Sequence, residues 1–358
     1  VVTQYQLALQ QPTDSALPTG AFAHSLGFET YVERGLVRDE ASFGVWLAAF
    51  ISQQLTYSDA LAIRFLYEDV PVADLDALLD AGCIGVAQPR RLPRASLLRQ
   101  ALQYASGLGC TVHLDPVHAD LAGQGVAHAG RPAMLSGLTG IPASAEAIGT
   151  AVALELARDT GCRVHLGRIT TARAVALIAA AKQDGVAVTC DVSAHQLFLT
   201  DESLQGLDPA YRLDPPLRTE TDRQALIGAV ADGTVDAVCS DHQPQDLNAK
   251  TDPFPMTEPG GSTLEYLLPA VLTLAQRQGW SHDRVRRLLI DTPARILGLA
   301  PPALSPGEPL SGVLLKPTGA PATITQLRSA AGITPFQDIP LTWRVDDVWR
   351  AGQHLPCD

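Results

Sequence analysis

RLDPPLRTETDRQALIGAVADGTVDAVCSDHQPQDLNAK, residues 212–250, lays out a loop, a helix, a strand and an acidic strand end in immediate succession. Pro215-Pro216 interrupts regular structure, and Thr219 with Asp222 three residues on has the spacing of a helix cap. The spacing predicts a helix over Glu220–Ala231, with Leu226, Ile227 and Val230 on one face and Asp232-Gly233 as its end. Val235, Ala237 and Val238 then make a short apolar run, as in a parallel strand buried on both faces. It stops at Cys239-Ser240-Asp241-His242. A carboxylate and an imidazole therefore stand at the C-terminal end of a strand, the end at which α/β barrels handle ligands and metals.

Outward from this stretch the same alternation continues. Short apolar runs at about 83–87, 110–115, 163–167, 186–191 and 235–240 are interleaved with helical stretches such as Ala145–Thr160 and Ala172–Gln183. This predicts an α/β fold with five parallel strands between about 82 and 300, followed by a small β segment at 305–355 that holds Trp343 and Trp349. A length of 358 residues is ample for one large α/β domain and a smaller unit. The net charge is −12 with a pI near 5.1, and no run of Lys or Arg points to nucleic acid or an anionic membrane. Cys83, Cys110, Cys162, Cys190, Cys239 and Cys357 lack CxxC spacing and read as small buried hydrophobes, which fits a reducing cytoplasm. No apolar run reaches membrane-spanning length, and no targeting signal is read at the N-terminus.

Residues 1–70 read differently. Phe43, Trp46, Leu47, Phe50 and Ile51 make a helical stripe behind a cap at Asp39 or Ser42, a further helix is expected over Ser58–Tyr67, and no strand intervenes. His24 reads as a surface or capping histidine. The junction falls near 68–82 without a Gly/Ser or Pro-rich linker, and the chain divides into 1–70, 71–300 and 301–358.

PPLR (215–218), DGT (232–234) and SDHQP (240–244) resemble the last part of the barrel of dihydroorotases, cyclic-amide hydrolases of pyrimidine synthesis in the amidohydrolase superfamily. GCIGV (82–86), TVHLD (111–115), GVAH (125–128), GIPASAE (140–146), VTCDVSAHQLFLTDE (188–202), TEPGGSTLE (257–265), TPARILGL (292–299) and the LSPGEPLSGVLL run (304–315) match in order, so the likeness covers roughly residues 75–358. SALPTGAFAHSLGFETYVERGLVRDEASFGVWL (15–47) resembles the opening of urease accessory protein F, an all-helical factor that works with partner proteins in nickel delivery.

The first resemblance implies a partial TIM barrel of the amidohydrolase type, supplied with its fourth to eighth strands. It also implies two divalent ions that activate water, and here the residues depart from the pattern. No His-x-His of a first strand is present, and Gln88-Pro89 stands where the family has an anionic bridge. Asp115 takes the place of a ligand histidine, with His113 and His118 close by, and Arg168 stands where another is expected, so that a salt bridge from Arg168 to Asp241 or Asp115 across the strand ends is expected where the family keeps ions. Asp241 alone matches its family role as ligand and general base. Candidate metal residues are therefore Asp241 and Asp115, and remnant substrate positions are Asp214, Arg218 and Gln245. His128, His165, His195 and His242 read as structural. No cofactor is expected, with zinc the ion if the site functions.

Three functions stay open. One is a non-catalytic dihydroorotase-like protein, of the kind some bacteria keep to hold aspartate transcarbamoylase together. Another is an active metal-dependent cyclic amidohydrolase. A third is a urease accessory fragment acting through residues 1–70 with urease accessory proteins, or a fusion of two partial genes. Because five strands cannot close an eight-stranded barrel, the first strand is an edge and self-association is expected.

Overall fold

The computed structural model describes residues 84–88, 91–302, 306–307, 309–323, 329 and 331–356, all within one compact unit, Ala62–Asp358. The helices expected over residues 1–70, His24, the junction at 68–82, Cys83 and Cys357 lie outside the described residues.

Five short strands form one parallel sheet: β1 (Val86–Gln88), β2 (Val112–Leu114), β5 (Val164–Leu166), β6 (Val188–Ser193) and β7 (Ala237–Cys239), in the order β1-β2-β5-β6-β7. Each falls inside or within a residue or two of an apolar run read from the sequence. Between β2 and β5 a small parallel pair intervenes, β3 (Ala127–His128) with β4 (Gly140–Ile141). The helices α1 (Ala95–Leu108), α4 (Ala143–Thr160), α5 (Ala172–Gln183) and α6 (Glu220–Asp232) alternate with the strands. Two one-turn helices, α2 (Ala119–Ala122) and α3 (Arg131–Leu135), flank β3. Thr219 and Asp222 form the expected capping box at the start of α6, and Gly233, at φ 90°, ends it in the left-handed conformation that glycine adopts without a steric penalty.

Strand alternation decides what faces where. Val112, Leu114, Val164 and Leu166 join Leu98, Leu102, Ala153, Leu154 and Ile178 of the helices in the main apolar core. Their in-between neighbours are polar and face the other way. His113, His165 and Thr189 occupy one rank across β2, β5 and β6, with the two imidazoles 4.9 Å apart and His165 Nδ1 at 2.8 Å from Thr189 Oγ1. The sheet therefore has an apolar face packed on helices and a polar face that runs up to the strand ends.

Helix α7 (Leu264–Gln278) joins the sheet to the C-terminal segment, where β8 (Gly312–Ala322), β9 (Leu341–Arg350) and β10 (Gln353–Pro356) make an antiparallel sheet. Trp343 and Trp349 lie in β9, as expected. Tyr266 of α7 stacks on Phe336 with centroids 4.9 Å apart, and Leu341 is buried in the same core, so this sheet is anchored on the main apolar cluster. No described helix is long and apolar enough to cross a membrane.

Candidate functional site at the strand ends

Asp115, after β2, and Asp241, after β7, converge on the guanidinium of Arg168, which follows β5. Arg168 donates through Nη2 to Asp115 Oδ2, and through Nη1 to Asp241 Oδ1 at 3.2 Å and to the carbonyl oxygen of Asp214 at 3.1 Å. Its backbone N–H donates to Asp191 Oδ1 at 2.8 Å. The three charged side chains are largely buried, with 19% of Arg168, 11% of Asp115 and 7% of Asp241 exposed. Burial opposes the charge of Arg168, but Asp115, Asp241 and Asp214 outweigh it and push its pKa up. Burial lifts the Asp115 carboxyl to about 7 against the pull of Arg168, because one guanidinium is shared between acids that also repel each other.

A second layer supports these groups. Asp191 Oδ2 accepts from His165 Nε2 at 2.8 Å, while the Cys239 thiol lies 3.2 Å from Asp191 Oδ1. Burial favours the protonated Asp191, yet the bond and charge of His165 prevail and hold its pKa low. Asp241 also receives Gln243 Nε2 at 2.6 Å and Ser193 Oγ at 3.3 Å. His195 is wholly buried, its Nε2 3.9 Å from Asp241 Oδ2, and burial lowers its pKa. Burial and the neighbouring His165 bring His113 down to about 3, so its ring is neutral. Gln88 Oε1, His113 Nε2, Asp115 Oδ1 and both ring nitrogens of His195 are buried with no hydrogen-bond partner among the described residues.

The metal that the resemblance implies does not fit this donor set. A hydroxide-generating ion needs about three to four protein ligands with one position open. Here Asp115 and Asp241 are engaged by a fixed cation, and among the described residues no group of three or more His, Cys, Asp or Glu side chains is placed to hold an ion. Burial also pushes the Cys239 thiol well up, away from the thiolate form.

The other site candidates fall elsewhere. Arg218 is 2% exposed and forms part of the wall: Nε donates to Thr170 Oγ1 at 3.0 Å, and Nη1 to the Ile141 carbonyl at 2.8 Å and to His128 Nδ1 at 3.0 Å. Nη2 lies 3.9 Å from Glu146 Oε2. Glu146, equally buried, accepts from the backbone and hydroxyl groups of both Thr170 and Thr171. The GVAH, GIPASAE, HLGRIT and PPLR stretches thus meet in one buried polar network. Gln245 donates to the Pro259 carbonyl at 2.8 Å, and His242 Nδ1 accepts the N–H groups of Thr263 at 3.0 Å and Leu264 at 3.2 Å, capping α7 in place of the Thr263 hydroxyl. Asp214 reaches Arg168 through its main-chain carbonyl. Sequence reading missed Glu146, Asp191, Ser193 and Gln243. For Asp191 and Ser193 the signal was there, in the alternation of VTCDVS.

No family model matches the chain. It is 39% identical over 275 residues to a dihydroorotase-like protein of Pseudomonas aeruginosa, over 76% of this chain and 65% of that one. A dihydroorotase-like protein of Pseudomonas putida is 38% identical over 270 residues, 75% of this chain and 64% of that one. The chain thus spans less than two thirds of the length of these relatives. A separate match, 75% identical over 92 residues, is to urease accessory protein UreF of an Arthrobacter species and covers 26% of this chain and 39% of that protein. Among solved structures, the L-hydantoinase (dihydropyrimidinase) of Arthrobacter aurescens matches with a TM-score of 0.70 at 20% identity, over 80% of this chain and 67% of that one, which shows a shared fold. The chain therefore carries a partial barrel of the amidohydrolase type whose sequence is similar to dihydroorotases and dihydroorotase-like proteins, together with a segment similar to urease accessory protein UreF.

Proposed function

We propose that this chain is a non-catalytic dihydroorotase-like protein of pyrimidine biosynthesis, and that its work is to bind and hold aspartate transcarbamoylase in the cytoplasm. The observation that carries the first half is the guanidinium of Arg168 on both Asp115 and Asp241. An acid committed to a buried arginine is poorly placed to ligate an ion or to take a proton from water, so Asp241 is a remnant of a general base. The second half rests on the likeness to dihydroorotase-like proteins, since a barrel without turnover keeps a role through contacts. Co-expression with aspartate transcarbamoylase and size-exclusion chromatography test it: one co-eluting complex with constant stoichiometry is expected, and separate elution across the micromolar range would refute the partnership.

A second reading has its own support. The 75% identity to UreF over 92 residues favours a contact with urease accessory proteins through the N-terminal part of the chain. Capture of the urease GTPase by the full chain, abolished when residues 1–70 are removed, would support it.

A further inference from the structure

The strand-end cluster is arranged as an ion site whose cation is part of the chain. Asp115 follows β2 and Asp241 follows β7, strands separated in the sheet by β5 and β6, and one guanidinium reaches both. Nη1 also bonds the Asp214 carbonyl in the loop before Pro215. Among the described residues the other hydrogen-bond donors to Asp241, Ser193 and Gln243, are neutral, and Asp115 Oδ1 is buried without a partner. Removing the cation would leave two buried acids facing each other, with no other cation hydrogen-bonded to them among the described residues. A planar guanidinium with five fixed donors can serve two acids and a carbonyl at once, which the point charge of a lysine does less well.

The backbone supplies an independent sign that the pair is over-determined. Arg168 and Asp241 both hold positive φ, at 56° and 50°. Non-glycine residues are uncommon in that region. The Asp191 carboxylate binds the Arg168 N–H, and Gln243 and Ser193 bind the Asp241 side chain.

We propose that Arg168 is the resident cation of the strand ends: its guanidinium takes the place of a bound ion in pairing with both Asp115 and Asp241, so this end of the sheet folds and holds without metal. The inference shares its site with the proposed function, but it is read out by stability. Turnover of dihydroorotate by the unmodified chain would refute that function and leave the melting results below to decide this one.

The test is thermal unfolding of the full chain. The unmodified protein is expected to melt at the same temperature with and without a chelator. Arg168→Ala is expected to melt several degrees lower and to recover part of the loss in millimolar guanidinium, but not in urea or in sodium chloride of equal ionic strength. If Arg168→Ala does not fold, the triple variant Arg168→Met, Asp115→Asn, Asp241→Asn carries the test, because removing all three charges together should restore a cooperative transition. A chelator-sensitive unmodified protein, rescue of Arg168→Ala by zinc but not by guanidinium, a single variant that melts like the unmodified chain, or a triple variant that stays unfolded would each overturn the proposal.

Discussion

Replacing Glu146 by Gln keeps the shape of a buried side chain and removes one charge, at a point where four stretches of sequence are tied together. Oε1 of Glu146 accepts three hydrogen bonds at 2.9 Å, from the Thr170 and Thr171 N–H groups and the Thr171 hydroxyl, and Oε2 accepts from the Thr170 hydroxyl and faces Arg218 at 3.9 Å. Bonds to an ionised acceptor are roughly twice as strong as neutral ones, so weakening three of them costs about 2 kcal/mol in all. Turning an amide N–H₂ toward the buried Arg218 guanidinium adds about 1 to 2 kcal/mol, for a total near 3 kcal/mol. Urea unfolding followed by circular dichroism measures this as a lower midpoint at unchanged slope. The Arg158–Glu155 pair, with side chains 42% and 70% exposed, is the control, and Arg158→Ala should cost less than about 0.5 kcal/mol. A loss below about 1 kcal/mol for Glu146→Gln would refute the claim that this network holds the barrel wall.

Further outcomes follow from single contacts. His242→Ala should cost about 1 kcal/mol in the same assay, because the first N–H groups of α7 lose their acceptor, and His242→Asn should recover part of it. Gly260 has φ 118°, and an added Cβ would lie 2.5 Å from the Gln243 carbonyl oxygen, so Gly260→Ala should cost about 2 kcal/mol or more. Lys250 is buried with its amine on the carbonyls of Pro209 and Arg212, and burial brings it from the ordinary 10.5 down to about 8. The folded chain then binds fewer protons than the unfolded one between these values, so the Lys250 contribution is full above 10.5 and is lost as pH falls through about 8. Unfolding free energies from pH 7 to 10 should rise more steeply for the unmodified chain than for Lys250→Met, and parallel curves would contradict this.

The fold was legible in the sequence wherever local signals agreed with the tertiary structure. The Thr219/Asp222 cap, the glycine at 233 and the three-residue cores VHL, VHL and AVC placed α6 and its neighbouring strands to within a residue or two, because a parallel strand between helix layers must be apolar on its packed face. The β3–β4 pair could not be read, since two residues carry no periodicity. The strand-end positions Asp115, Arg168 and Asp241 were visible as polar residues ending apolar runs, and a salt bridge from Arg168 to Asp241 or Asp115 was expected from the resemblance; that one guanidinium reaches both acids is a matter of space that no spacing encodes. Arg218 is a different case. It is charged, follows a proline pair and reads as a remnant substrate position, and in the structure it is buried with Nη2 3.9 Å from Oε2 of Glu146, an acid distant in sequence. A buried arginine can be told from a binding one only when its acid is known.

Whether this barrel hydrolyses anything turns on the occupant of its strand ends. Elemental analysis of the purified full chain, together with dihydroorotate turnover in added zinc and the Arg168→His variant run beside it, asks that directly. The expected result is less than about a tenth of an equivalent of zinc per chain and no turnover above background in the unmodified protein, since Asp115 and Asp241 fall short of the roughly three to four ligands required. Stoichiometric zinc with turnover in the unmodified chain would contradict the account.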